Sequence, residues 1–360
     1  MIRLVHLGGV YGKQKNKASI QKMDKKGILL VNLGTPDSPS TADVRKYLGE
    51  FLMDERVIDI NAVGRTLLVK GIIVPFRGPK SAKIYKEIWT KEGSPLLLYS
   101  IKVQEEIVKK LGDDYMVELA MRYQTPSIPD ALERLKQAKV DSIKVVPLFP
   151  QYASASTGSV HQLVMEIVSK WQAIPPISFV NSYYDHPGMI KVFADNARKH
   201  LDQKWDHILF SFHGIPQRQM RKADVSGEHC LKVDNCCSVL TENNKYCYSA
   251  QCHQTARLIS NELGLKKEDF TICYQSRLGN DPWMKPYTSD ILKELAAKGV
   301  KRLLVLCPAF VSDCLETLYE ISFEYQEEFV ELGGEKIQLV ESLNDNPAWI
   351  DALEDIILNK

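Results

Sequence analysis

The sequence predicts an α/β protein of two similar Rossmann-like lobes, each a parallel sheet flanked by helices, with the functional cleft between them. Three observations carry this. Apolar stretches that read as buried strands alternate with amphipathic helices, the pattern of a parallel sheet covered on both faces. A strand ending in Gly and Pro occurs twice, as Leu33-Gly34-Thr35-Pro36 and as His213-Gly214-Ile215-Pro216. A second pair also recurs, Val145-Val146-Pro147-Leu148-Phe149-Pro150 answered by Leu304-Val305-Leu306-Cys307-Pro308-Ala309-Phe310, so the chain is two related halves.

Residues 1–26 hold seven Lys or Arg and no sustained apolar run, which fails the pattern of a secretory signal and reads as a mobile leader. Folding is expected to begin at Gly27 with a buried strand that breaks at Gly34 and Pro36. Thr41 and Asp43, followed by Val44, Leu48, Phe51 and Leu52, make a capped amphipathic helix. Strands follow at Met116–Ala120 and Ile143–Leu148, with helical periodicity between them from Asp130 to Ala138. The loop around Asn181–Pro187 divides the chain into lobes 27–183 and 184–340. Strands Ile208–Phe212 and Leu303–Leu306 belong to the second. Residues 341–360 carry a last helix, Pro347–Leu358, expected to pack back on the first lobe.

A chain of 360 residues that is 44% hydrophobic and 25% charged suits two globular units. With 46 basic and 45 acidic side chains it lacks the broad positive field of a nucleic-acid binder. No apolar run approaches the ~18 residues of a spanning helix, so a cytoplasmic protein with membrane contact at its surface is the expectation. Neither phosphate-cradling glycine motif follows a strand, and no Gly-x-Ser-x-Gly elbow is present, which removes kinases, dehydrogenases and the commonest hydrolases of this class.

His213 ends an apolar strand, where ligands of parallel sheets gather. A His there is commonly structural, but the second half supplies a partner: Glu316, Glu320 and Glu324 follow the strand Leu303–Leu306 at intervals of four, a line along one helical face. Like charges at that spacing cost a few tenths of a kcal/mol per pair, which argues against a merely solvated face. Imidazole and carboxylates together suit a divalent cation and proton transfer.

Leu33-Gly34-Thr35-Pro36, Phe149-Pro150-Gln151-Tyr152 with Ser156-Thr157-Gly158, Ser211-Phe212-His213-Gly214-Ile215-Pro216, Gln275-Ser276-Arg277 with Pro282-Trp283, and Phe310 with Ser312-Asp313-Cys314-Leu315-Glu316-Thr317-Leu318 resemble, in order, motifs of the ferrochelatases. The resemblance runs from Gly27 to the final helix. It implies a chelatase-like fold and insertion of ferrous iron into protoporphyrin IX, with release of two protons. Under that resemblance His213 and Glu316 are catalytic, His213 as proton acceptor or iron ligand and Glu316 facing it across the cleft, with Glu320 and Glu324 as a carboxylate path. Leu33, Tyr123, Trp283 and Phe310 become porphyrin walls, and Arg77, Ser94 and Arg122 contact the macrocycle's periphery. Leu at position 33, where relatives acting on coproporphyrin tend to have Tyr, implies protoporphyrin IX. The run Leu67 to Phe76 beside Arg77 reads either as a buried helix or as an exposed pocket lip touching a bilayer. Two other activities fit the same residues: a cobalt or nickel chelatase for another tetrapyrrole, and a porphyrin or haem carrier without turnover.

Five of the eight cysteines form Cys230-x5-Cys236-Cys237-x9-Cys247-x4-Cys252. Without an export signal, such clustering points to a metal centre before disulfides. The spacing fits no standard zinc ribbon, and four thiolates are the usual ligand set of a 2Fe-2S cluster. By resemblance the segment is that of ferrochelatases with internal cluster ligands. An iron-sulfur cluster, zinc and free thiols all remain open, and five candidates compete for four places.

Overall fold

The structure, a computed structural model, describes residues 25–359 except Leu278 and Asn280. Residues 1–24 of the expected leader therefore lie outside the described residues. Strands β1 (Lys26–Gly34), β2 (Tyr115–Tyr123), β3 (Ser142–Pro147) and β4 (Ile177–Phe179) form a parallel sheet in the order β2-β1-β3-β4. Strands β5 (His207–His213), β6 (Phe270–Gln275), β7 (Arg302–Leu306) and β8 (Lys336–Leu339) repeat it as β6-β5-β7-β8. Leu33, last but one in β1, and His213, last in β5, thus lie at the carboxyl ends of equivalent central strands, as the sequence repeat implies.

Period-two burial explains why both central strands are apolar throughout. Ile28 and Leu30 of β1 and Phe210 and Phe212 of β5 point into one shared core with Trp349. Leu29 and Val31 face the opposite way, onto Leu132, Leu135, Val160 and Val164. Leu209 in β5 likewise turns to a separate cluster with Leu292 and Phe329. Four helices form the layer of the shared core. Pro187–Arg198, which follows β4, packs on both Tyr248–Glu262, which precedes β6, and Pro347–Leu358, which follows β8, and the last of these packs also on Pro95–Leu111, which precedes β2.

Backbone chemistry sets the turns that carry the site. Gly34 has φ +112°, and a Cβ there would stand 2.0 Å from the Tyr123 carbonyl oxygen, so only Gly lets β1 end against β2. The run Leu67–Ile73 is π-helical and continues into the helix Val74–Ile88, whose Pro75 has no N–H to give. The run has a buried face and an exposed face. Val69 and Ile73 are buried, while Leu67, Ile72 and Phe76 are 67%, 57% and 77% exposed.

Candidate active site

His213 closes β5 in register with Gln275 of β6, and Gly214 N–H donates to the Gln275 carbonyl at 2.9 Å. Gly214 faces Trp283, whose ring carbon would meet an added Cβ at 3.5 Å, so the turn after His213 has an aromatic cover. Phe310, three residues beyond Cys307, meets the imidazole edge to face with ring centroids 6.3 Å apart. Burial pushes the His213 pKa below its ordinary value, and the Glu316 carboxylate opposes that shift. The imidazole is therefore neutral at pH 7, with a lone pair free for a proton or a metal.

The three glutamates do not lie on a regular α-helix. Leu315–Leu318 is α-helical, but Glu320–Tyr325 is π-helical, with Glu324 N–H donating to Tyr319 five residues back at 3.1 Å. A wider turn of this kind is a known mark of functional segments, and no sequence period announces it. The carboxylates still run as a series from interior to surface, for Glu316 and Glu320 are half-buried and Glu324 is exposed. Burial, then the charges of Glu316 and Glu324, push the Glu320 pKa up to about 8, against the donors Ser276 and Gln275. Ser276 Oγ donates to Glu320 Oε2 at 2.6 Å, and Gln275 Nε2 donates to the same oxygen at 3.2 Å and to the Glu316 carbonyl at 2.9 Å. Gln275 Oε1 in turn accepts from Ser211 Oγ at 2.7 Å, so one buried amide joins the ends of β5 and β6 to the carboxylate segment.

Gln275 and Ser276 were visible in the sequence only as part of a motif. Their position at a strand's carboxyl end, the rule that singled out His213, is the signal that could have found them. Tyr47 and Tyr85 carried no signal at all. They are buried, and desolvation holds both phenols well above their usual range, with Glu316 adding to the effect.

The remaining predicted residues form a wall from the first sheet. Leu33 packs in one cluster with Tyr47, Tyr85, Tyr123, Leu315 and Tyr319, which brings it to the Glu316 segment of the other sheet. Ser94 is buried and accepts from Thr35 Oγ1 at 2.9 Å. Arg77 is exposed beside the apolar lip. Tyr123 is fully buried and Arg122 is spoken for. Asp54 Oδ2 accepts from Arg122 Nη2 at 2.7 Å, from Tyr123 OH at 2.9 Å and from Ser159 Oγ at 2.5 Å. These two therefore support the wall from behind. Because removing Asp54 leaves a largely buried guanidinium unpaired, Asp54→Ala is expected to cost about 3 kcal/mol of stability in denaturant titration.

The cysteines divide. Cys236 and Cys237 sulfurs lie 3.7 Å apart, Cys237 and Cys230 each interact with Cys247, and all four sit in the loop leading to the helix Tyr248–Glu262. Cys252 is fully buried inside that helix and is paired with Tyr248. Among the described residues no three His, Cys, Asp or Glu side chains converge as a single-ion site would require.

Comparison with known proteins bears on the family and the fold. The sequence profile of the ferrochelatases matches residues 25–360. A ferrochelatase of Legionella pneumophila (strain Lens) is 44% identical over 92% of this chain and 98% of its own length. One of Coxiella burnetii (strain Dugway 5J108-111) is 41% identical over 95% of both. The fold is that of SirB from Bacillus subtilis, solved with Fe3+, at TM-score 0.53 and 12% identity over 93% of this chain and 95% of that one. The sirohydrochlorin chelatase SirB of Bacillus subtilis subspecies spizizenii, in complex with cobalt, gives TM-score 0.52 and 13% identity over 93% and 96%. With a profile match across the described chain and relatives above 40% identity along nearly all of it, the chain belongs to the ferrochelatase family.

Proposed function

We propose that this enzyme inserts Fe2+ into protoporphyrin IX to form protohaem, the last step of haem synthesis, with His213 and Glu316 at the reacting centre. The observation that carries the assignment is a neutral, half-buried imidazole opposed by a carboxylate, at strand ends that meet an apolar wall from the first sheet. Metallation removes two protons from pyrrole nitrogens and turns their lone pairs toward iron. Neutral His213 accepts the first proton or binds the metal, and its lowered basicity ensures that it passes the proton on. Glu320, with a pKa of about 8, is matched to take up and release that proton near neutrality, and Glu324 completes the route to water. Leu33, Trp283 and Phe310 offer the macrocycle its flat apolar contacts, with Arg77 and Ser94 at its rim. We read residues 27–183 and 184–340 as the two lobes, with 341–360 closing on the first.

Competition assays test substrate choice. Fe2+ and protoporphyrin IX should be preferred over Co2+, Ni2+ and coproporphyrin. Preference for cobalt or nickel, or tight porphyrin binding without metallation, would overturn the proposal.

Cys230, Cys236, Cys237 and Cys247 suit a 2Fe-2S cluster better than zinc. Cys236 and Cys237 lie 3.7 Å apart, Cys247 interacts with both Cys230 and Cys237, and four thiolates in one loop are the usual ligand set of a two-iron unit. Such a cluster would supply a covalent staple for the loop and visible absorption. Colourless protein holding one zinc per chain would refute this part alone.

Leu67, Ile72 and Phe76, with Lys70, Arg77 and Lys80 exposed around them, suit contact with an anionic bilayer from which an apolar porphyrin could enter. No helix among the described residues is long and apolar enough to cross a membrane, so attachment would be peripheral, from the cytoplasm. Phe76→Ser is expected to weaken binding to phosphatidylglycerol vesicles about tenfold, measured by cosedimentation, while iron insertion in detergent is unchanged.

A further inference from the structure

We propose that Gln251 is a positioning residue that couples the cysteine segment to the wall of the porphyrin pocket, an inference that rests on the porphyrin reading above. Gln251 is 1% exposed and all its polar groups are engaged. Its side-chain Nε2 donates to the Lys245 carbonyl at 2.6 Å, and its backbone N–H donates to the Cys247 carbonyl at 3.1 Å. Those two bonds bracket Cys247, the residue that opens the helix Tyr248–Glu262 and whose thiol meets both Cys230 and Cys237. On its other side, Gln251 Oε1 accepts from Tyr152 N–H at 2.7 Å, so the same amide grips a loop of the other sheet.

The grip leads onward to the site. Gln151, next to Tyr152 and 2% exposed, donates from Nε2 to Thr255 Oγ1 at 3.0 Å and to the Pro308 carbonyl at 3.2 Å. Pro308 is two residues before Phe310, the ring that edges His213. A second contact runs in parallel, for the rings of Tyr152 and Tyr246 lie 6.3 Å apart with Tyr246 adjacent to Cys247. The path from the cysteine segment to the imidazole therefore runs through the Cys247 carbonyl, Gln251, Tyr152, Gln151 and Pro308 by hydrogen bonds and one chain neighbour, and reaches His213 through Phe310, two residues beyond Pro308. A buried amide is suited to this because each of its groups has one fixed partner, and displacing any of them leaves an unsatisfied group. When the thiols of the segment are held together, Cys247 and the helix start are fixed, and Tyr152 with them. When one thiol is removed, the constraint relaxes along the same path.

The test is a double-mutant cycle on the full chain with Cys236→Ser, at the partly exposed thiol, and Gln251→Met. Two readouts are used: amide hydrogen exchange at Tyr152, and kcat and KM for protoporphyrin. With the Oε1 bond to Tyr152 cut in Gln251→Met and the thiol contact loosened in Cys236→Ser, each single variant is expected to raise porphyrin KM about fivefold with a smaller change in kcat, and to speed Tyr152 exchange by a similar factor, while Leu209 in β5 is unaffected. The double variant should fall short of the sum of the two single variants, because Gln251→Met cuts the hydrogen-bonded link and leaves only the Tyr152–Tyr246 ring contact to carry the effect of the lost thiol. Additive effects in the double variant, or Tyr152 exchange unchanged by Cys236→Ser, would overturn the proposal. The exchange measurement on Cys236→Ser needs neither porphyrin nor a folded Gln251 variant, so a failure of the porphyrin reading would leave the coupling separately decided.

Discussion

His213→Ala is expected to lower the rate of iron insertion about a thousandfold or more, the range lost when a positioned proton acceptor is removed. The expectation follows from position and charge together. His213 is the last residue of the central strand of its sheet, it faces Phe310, and burial keeps it neutral against the pull of Glu316. Among the described residues, no other strand closes on a histidine. Added imidazole should restore part of the lost rate in the Ala variant, and thermal melting should show the fold retained. A variant that turned over normally would remove His213 from the chemistry.

Glu320→Gln should produce the largest effect on stability, and its sign depends on pH. Burial and two neighbouring carboxylates raise the Glu320 pKa from 4.5 to about 8 in the folded protein. Between those values the folded state holds a proton that the unfolded state has released, so unfolding sheds protons and stability declines as pH rises. The stabilising protonated form is fully present below pH 4.5 and is lost through about pH 8. At about 1.4 kcal/mol per unit, the penalty above that range reaches roughly 5 kcal/mol as an upper bound. Glu320→Gln keeps the shape and removes the titration. It should melt higher than the wild type at pH 9 and nearly alike at pH 4.5. An equal difference at both values would mean that Glu320 does not carry this proton. The same substitution should slow iron insertion, since it deletes the proton store nearest Glu316.

The halves of the fold were legible because the central strands are buried on both faces and read as largely apolar runs. Ile28 to Val31 and Ile208 to Phe212 announce themselves, and the Gly-Pro turns after Leu33 and His213 mark their ends. The parts that escaped sequence reading depend on tertiary partners. Gln275 is an ordinary amide until the structure joins it to Ser211, Glu316 and Glu320. The i,i+4 spacing of the glutamates suggested an α-helix, but a five-residue backbone bond at Glu324 widens the turn there. By resemblance Arg122 and Tyr123 belong to the porphyrin pocket, and nothing in the sequence announces that Asp54, 68 and 69 residues away, hydrogen-bonds with both. Among the cysteines, spacing alone could not separate Cys252 from the others. Its place inside a helix, with Tyr248 beside it, does so.

The most direct measurement is the crystal structure of this enzyme with protoporphyrin IX bound and no iron added. The account predicts the four ring nitrogens against His213 and Glu316, with the macrocycle's faces on Leu33 and Phe310. A porphyrin seated with its nitrogens away from both side chains would contradict it.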